Sequence, residues 1–230
     1  MSTTEVVLRF IGAAVAAYLI GSIPSGVIVS RIFKGSDPRS LGSGKTGATN
    51  VLRSLGTGPA AIVVVADFLK GAVSVLLARY IFFGVTAHVG YSAVTWDTLR
   101  ASAEALAALG ALMGHNYSLY IGFKGGRGVL TGLGAIAVMS PIAMLFGIIA
   151  GVAPIALTRY VSLGSVMGAL ISSLIEIYLT ITRVDSLPHC IFIVLAGVII
   201  IVSHKDNIDR LRAGNERKLG EKATPVVKPS

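Results

Sequence analysis

The sequence predicts an all-α, polytopic integral membrane protein of about seven transmembrane helices, some of them short or broken. Three observations carry this reading. Hydrophobic residues make up 53% of the 230-residue chain and charged residues 13%, against about 25% charge in an ordinary soluble domain. The mean hydropathy is +0.78. The apolar residues lie in long blocks separated by connections rich in glycine and cations, and several blocks approach the roughly 20 residues that a helix needs to cross a bilayer.

The first block, residues 6–32, follows a start that holds Glu5 and no cation up to Leu8, so it reads as a retained span rather than a signal peptide. Its second half carries Gly21-Ser22-Ile23-Pro24-Ser25-Gly26. Proline removes a helix hydrogen bond, so a kink is expected there, either for packing or to bend the helix around a site. The loop over residues 33–58 holds Lys34, Arg39, Lys45 and Arg53 against Asp37 and is expected in the cytoplasm. The second span, 59–84, contains Asp67 and Lys70 one turn apart on one face. Ionisable groups at such depth face a bundle interior or a wet cavity. Residues 85–98 carry Asp97 and no Lys or Arg, as suits the outside, and the third span covers about 99–113. After the connection 114–128, the stretch 129–158 could be one kinked helix or two short spans divided at Ser140-Pro141. Parity decides for two, 129–139 and 141–158, because that returns Arg159 and the basic tail to the cytoplasm. Spans at 161–181 and 187–203 complete a membrane domain over residues 1–204. Residues 205–230 form a basic tail whose end, with two prolines, is expected to be disordered. Glu176 takes no role in this reading.

The net charge of +9 does not point to nucleic acid, because the cations lie in loops and in the tail. Cys190 stands alone in an apolar run, which offers neither a disulfide nor a metal site. No cofactor is expected.

The chemistry concentrates in three connections that this topology puts on one face. Residues 41–56 combine glycines with Ser43, Thr46, Thr49 and Asn50 as hydrogen-bond donors and Lys45 and Arg53 as cations. Glycines let the backbone curl so that N–H groups approach a ligand, a combination suited to a phosphate oxyanion. Residues 114–128 repeat the idea, with His115, Lys124, Gly125, Gly126 and Arg127. The tail begins with His204 and Asn207. An apolar bundle beside such loops can hold an acyl chain, so the site fits a lipid-like donor and a water-soluble phosphorylated acceptor.

Four ordered motifs carry a family resemblance. Gly42-Ser43-Gly44 with Gly47-Ala48-Thr49-Asn50 and Arg53, then Asp67-Phe68-Leu69-Lys70-Gly71, then Gly114-His115 through Phe123-Lys124-Gly125-Gly126-Arg127-Gly128, then His204, Asn207, Arg210-Leu211, Gly214 and Glu216, resemble the signatures of the PlsY family of bacterial acylphosphate:glycerol-3-phosphate acyltransferases. The resemblance implies a seven-span enzyme of the bacterial inner membrane, with its N-terminus outside and its active site and C-terminus cytoplasmic. It implies transfer of a fatty acyl group from acyl phosphate to the 1-hydroxyl of glycerol 3-phosphate, giving lysophosphatidic acid and phosphate. Ser43, Gly44, Thr49 and Asn50, with Arg53 nearby, would hold the donor phosphate. Arg127, Ser162 or Ser165, His204 and Asn207 would hold the acceptor. Gly47, Asp67, Lys70, His115, Lys124, Gly125 and Gly126 fall on the same motifs and join the binding set. Lys45 and Arg127 depart from the usual Asn and Lys of the family, and both keep or add positive charge. The partners expected are the two substrates and the bilayer, with a monomeric chain.

No covalent enzyme intermediate is needed, because acyl phosphate is already an activated anhydride. The proton acceptor could be His204, His115 or a phosphate oxygen, with the last favoured and His204 orienting the hydroxyl. Three rivals share some features. Gly44-Lys45-Thr46 imitates the end of a nucleotide-binding P-loop, but Arg39 stands where that pattern requires glycine. His204 and Asp209 have the H-x-x-x-x-D spacing of another acyltransferase class. A transporter of a phosphorylated metabolite would explain membrane and cations, yet predicts midplane charges in both halves of the chain.

Overall fold

The computed structural model describes residues 2–34, 37–83 and 93–222. These residues form ten α-helices: α1 Thr3–Ser22, α2 Ser25–Lys34, α3 Ala48–Leu55, α4 Thr57–Phe83, α5 Ala93–Asn116, α6 Val129–Met139, α7 Pro141–Thr158, α8 Val161–Ile181, α9 Leu187–Ser203 and α10 Lys205–Arg212. No strand occurs among the described residues. Three helices, and α1 with α2 taken together, are long and apolar enough to cross a membrane, and α9 with α10 makes a fifth such unit. The chain is thus an all-α, multi-pass integral membrane protein. α6 has 11 residues, about 17 Å of helix, well short of a hydrocarbon core of about 30 Å.

The helix boundaries follow local chemistry. Ser2 and Glu5 form a reciprocal capping box at the start of α1. Pro141 and Pro188 sit in the first turns of α7 and α9, where a missing N–H costs nothing. The proline-containing first block is divided, as its sequence suggests: α1 ends at Ser22 and α2 begins at Ser25. Two expectations need correction. The third span is longer than 99–113 and runs to Asn116. The connection 33–58 contains helix α3, closed by Gly56 at φ 88°, a left-handed position that glycine fills without strain. After the last span, α10 turns away from α9 by 56°. The expected outer connection and disordered end lie largely outside the described residues.

Packing between helices relies on small residues that let backbones meet. A Cβ at Gly21 would lie 2.2 Å from the Ala111 carbonyl oxygen, and one at Gly134 would lie 1.9 Å from that of Phe68. These contacts fix α1 on α5 and α4 on α6. The central core, including Val75, Leu112, Ile136, Phe192 and Ile193, is buried. Leu8, Ile11 and Val15 on α1 and Leu145 and Ile149 on α7 point outward, as lipid-facing side chains do.

Candidate active site

One cavity of about 460 Å³ opens where the first loop, the second loop and the tail converge. Of the residues singled out in the sequence, Ser43, Gly47, Thr49, Asn50, Arg53, Asp67, His115, Arg127, Ser162, Ser165, His204 and Asn207 line it. Gly44, Lys70, Lys124, Gly125 and Gly126 do not, and each has another place in the fold.

The first loop is organised by Asn50. Its buried amide donates to the carbonyls of Pro38, Leu41 and Lys45 at 2.8, 3.0 and 2.9 Å, and its oxygen accepts from the Ser43 N–H at 3.2 Å. The amide of Asn50 is therefore fully engaged in shaping the loop, which differs from its expected use on the donor phosphate. Gly44 supplies a turn at φ 66°. Gly26 of α2 lets the Thr46 carbonyl come within 1.8 Å of where a Cβ would stand. The result aims the start of α3, Gly47-Ala48-Thr49, at the cavity. Backbone N–H groups at a helix N-terminus favour an anion. Arg53, one turn further on, donates to the Arg217 carbonyl at 3.0 Å, and its Nε is buried with no partner.

Behind this loop, Asp67 and Lys70 pair at 2.8 Å, and His115 Nδ1 stands 3.6 Å from the same carboxylate oxygen. Ser25 donates to Asp67, and Lys70 donates to the Ile23 carbonyl at 3.3 Å. The break at Pro24 thus offers a carbonyl and a hydroxyl to a buried ion pair. It serves packing and site together. Lys70 stays behind Asp67 and off the cavity.

The second loop supplies shape more than donors. A Cβ at Gly125 would meet the His115 carbonyl at 2.0 Å, and one at Gly126 would meet His115 Nε2 at 2.0 Å. These glycines allow the loop to close on His115. Lys124 is exposed. Arg127 lines the cavity and is fixed by a single bond, from Nε to the Ser203 carbonyl at 3.1 Å.

His204 sits at the bend between α9 and α10 and is 3% exposed. Its Nδ1 lies 2.8 Å from the Ile200 carbonyl, which can only accept, so Nδ1 carries the proton and Nε2 has a free lone pair. Burial, with Arg127 nearby, lowers its pKa to about 4 despite that bond, so the ring is neutral near pH 7. Asn207 donates to Glu216 Oε1 at 2.6 Å, and its own Oδ1 is buried without a partner. Ser162 also donates to Glu216 Oε1, at 2.8 Å, and Arg210 Nε donates to Oε2 at 2.7 Å. Burial pushes the Glu216 carboxyl up, but these three bonds outweigh it and keep the group ionised. Ser165 donates back to the Val161 carbonyl. Asp209 is exposed and makes no bond to His204, which removes the basis of the H-x-x-x-x-D reading.

Sequence reasoning misses two features of this site. Glu216 enters it only as part of a motif; the available signal is a lone carboxylate between Asn215 and the basic Arg217-Lys218. The N-terminus of α3 reads as loop. From the polar end the cavity extends between α6, α7 and α8, along Leu133, Ile136, Ile148, Val152 and Ile155. An apolar slot therefore joins a cationic, donor-rich mouth.

Residues 11–214 match the family model described as glycerol-3-phosphate acyltransferase. The glycerol-3-phosphate acyltransferase of Trichormus variabilis is 40% identical over 227 residues, covering 97% of this chain and 98% of that one. A Thermus thermophilus protein of the same name is 40% identical over 206 residues, covering 90% of this chain and 93% of its own. The crystal structure of PlsY (YgiH), an integral membrane glycerol 3-phosphate acyltransferase, in its glycerol 3-phosphate form superposes with a TM-score of 0.77 at 33% identity, covering 92% of this chain and 96% of that one. Its lysophosphatidic acid form gives a TM-score of 0.74 at 30% identity, covering 92% and 95%. Motifs, fold and near full-length likeness agree, and the chain belongs to the glycerol-3-phosphate acyltransferase family.

Proposed function

We propose that this protein transfers a fatty acyl group from acyl phosphate to the 1-hydroxyl of glycerol 3-phosphate, releasing lysophosphatidic acid and phosphate for phospholipid synthesis. The observation that carries the proposal is one cavity in which an apolar slot meets cations and free hydrogen-bonding atoms. The relatives solved in a glycerol 3-phosphate form and a lysophosphatidic acid form support the acceptor and the product.

In this mechanism the acyl chain lies along Leu133, Ile148 and Val152. The donor phosphate sits at the start of α3, held by the hydroxyls of Ser43 and Thr49 and by Arg53. Arg127 takes the phosphate of the acceptor as a guanidinium fork. The free Oδ1 of Asn207 and Nε2 of His204 accept hydrogen bonds from acceptor hydroxyls and aim the 1-oxygen at the acyl carbon. The new C–O bond forms as the acyl–phosphate C–O bond breaks, and the hydroxyl proton leaves on the departing phosphate. Alignment and charge neutralisation do the catalytic work. Asp67, His115 and Glu216 hold the binding groups in place, and no cofactor takes part.

The same reading gives seven spans. These are the broken α1–α2 unit, α4, α5, the short α6, α7, α8 and α9. The cavity and tail face the cytoplasm of a bacterial inner membrane, the N-terminus lies outside, and one chain holds a whole site. Purified protein mixed with acyl phosphate and labelled glycerol 3-phosphate is expected to form labelled lysophosphatidic acid. Acyl-CoA or acyl-carrier protein should not replace acyl phosphate, and turnover with either would refute the proposed donor.

A further inference from the structure

The tail segment after α10 bridges two walls of the cavity, and its anchor on the second wall has no part in the reaction as described. The chain leaves α10 through Gly214, at φ 71°, and the Asn215 N–H donates to the Arg210 carbonyl at 2.9 Å. Glu216 then lines the cavity. On one side, the carbonyls of Arg217 and Lys218 accept from Arg53 Nη2 of α3 at 3.0 and 3.5 Å. On the other side stands Arg159, in the turn between α7 and α8. Its Nη2 and Nε donate to the Leu219 carbonyl at 2.6 and 3.2 Å. Its own carbonyl accepts from the Leu219 N–H at 2.7 Å. Beside it the Lys218 ammonium lies 5.7 Å from the centre of the Tyr160 ring, within cation–π reach.

Arg159 has φ 66° and ψ 9°. That left-handed region is uncommon for a residue with a Cβ, and glycine would fill it without strain. The arginine makes three bonds to one residue of the tail that glycine could not all make. The two from its side chain are exposed, and exposed charged contacts contribute little to the stability of a bundle. What they fix is the path of residues 216–219. Groups on both substrate sides are tied to that path. Ser162 and Asn207 donate to Glu216 Oε1 at 2.8 and 2.6 Å, and the second bond sets the orientation of the unpaired Asn207 Oδ1. The bonds from Arg53 Nη2 likewise set the orientation of its unpaired Nε.

We propose that Arg159 is a positioning residue for acyl transfer, acting through the tail. It clamps residues 216–219 so that Glu216 aims Asn207 and Ser162 on the acceptor side, while the Arg217 and Lys218 carbonyls aim Arg53 on the donor side. The inference rests on the acyl-transfer reading. Arg159 itself does not line the cavity. A tail released from Arg159 has to be ordered again each time a substrate binds, which weakens binding of both substrates. Once both are bound, the same groups are in place and the transfer step is little changed.

Arg159→Gly keeps the left-handed turn and removes the guanidinium. Purified full-length protein in detergent is assayed with acyl phosphate and glycerol 3-phosphate each varied. Arg159→Gly should raise KM for both substrates about three- to tenfold, with kcat and Tm nearly unchanged. Arg159→Lys, which restores one charged donor, should fall between. Leu219→Pro breaks the clamp from the tail, outside the bundle, and should repeat the pattern even if Arg159→Gly does not fold. Hydrogen exchange of residues 215–220 should quicken in each variant that loses the clamp. Arg183→Ala removes an exposed arginine with φ 60° at the opposite end and should match the wild type. Equal KM values in wild type and the clamp variants, or a loss of kcat and Tm at constant KM, would overturn the proposal. A wild type that forms no lysophosphatidic acid from acyl phosphate would refute the reading of the reaction instead. Equilibrium dialysis of labelled glycerol 3-phosphate, which needs no donor, then decides the clamp: a Kd raised in Arg159→Gly supports it, and an equal Kd overturns it.

Discussion

Asn207 and Asp209 lie two residues apart in α10, yet they have opposite surroundings. Asn207 is buried with one amide oxygen free, whereas Asp209 is exposed. His204→Ala and Asn207→Ala should therefore each impair the acceptor step by about ten- to hundred-fold, the value of a hydrogen bond of about 1.5–3 kcal/mol to a charged or strongly polarised group. Asp209→Ala should stay near wild type. Steady-state kinetics with varied glycerol 3-phosphate separate the three, and a collapse of kcat in folded Asp209→Ala would restore a His–Asp pair. The neutral state of His204 has a second consequence. Its pKa falls from an ordinary 6.5 to about 4 on folding, so between those values the unfolded chain binds a proton that the folded chain refuses. Stability is then lost as pH falls from about 6.5 towards 4, by about 3 kcal/mol in all. Unfolding curves of wild type and His204→Gln should diverge over that window, with the wild type the more acid-sensitive. Asn50 shows where sequence reasoning stops. Its type and position announce a polar role, but only coordinates reveal that three carbonyls consume its donors. Ser43→Ala and Thr49→Ala should raise the donor KM with little change in Tm. Asn50→Ala, which strips the loop of its hub, should lower Tm as well as activity; equal Tm in all three variants would remove that distinction.

At the scale of elements, the stretches 129–139, 141–158, 161–181 and 187–203 coincide with α6 to α9, because prolines and polar pairs punctuate a continuous apolar run. The helix α3 is not legible in the same way. It has eight residues, polar ones among them, and takes its stability from burying Val51 against Val63 and Ala60 of α4, a tertiary contact that no local pattern shows. The bend at His204 is equally hidden. No proline or glycine marks it, and Glu216, nine residues beyond Asn207, holds α10 in its new direction through Asn207 and Arg210. Glycine is legible as abundance and ambiguous as function. Some glycines shape loops, and others admit a neighbouring backbone. Gly71 on α4 is of the second kind, since a Cβ there would stand 2.0 Å from the Thr131 carbonyl of α6. Gly71→Ala should cost about 1–3 kcal/mol by forcing α4 and α6 apart. Gly12→Ala on α1, where nothing lies within 4 Å, should be neutral or mildly stabilising through helix propensity. Paired thermal unfolding measurements check this, and equal effects at the two sites would show that the α4–α6 interface yields freely.

Over the whole molecule, the distribution of cations determines which way the bundle faces. Arg9, Arg79, Arg100 and Arg183 lie at the end that holds Glu176. Arg39, Lys45, Arg53, Lys124, Arg127, Arg159 and the cations of α10 and the tail lie at the end that holds the cavity. Two of the four at the first end are spent on buried Glu104, and Arg9 donates to the Ile81 carbonyl at 2.6 Å. Few cations at that end are therefore free to oppose translocation. The excess at the cavity end predicts a cytoplasmic cavity, open to a water-soluble phosphorylated acceptor. The parity argument that splits residues 129–158 into α6 and α7 is what keeps the second loop, Arg159 and the tail together, and the cavity requires the same grouping, since Arg127, Ser162 and His204 all line it. Single cysteines placed at Asp97 and at Lys124 in a Cys190→Ala background test the orientation in intact cells. An impermeant thiol reagent added outside should label position 97, which is exposed on the first turns of α5, and should label position 124 only after the membrane is opened. Labelling at 124 but not at 97 in sealed cells would invert the orientation and, with it, the compartment from which glycerol 3-phosphate reaches Arg127.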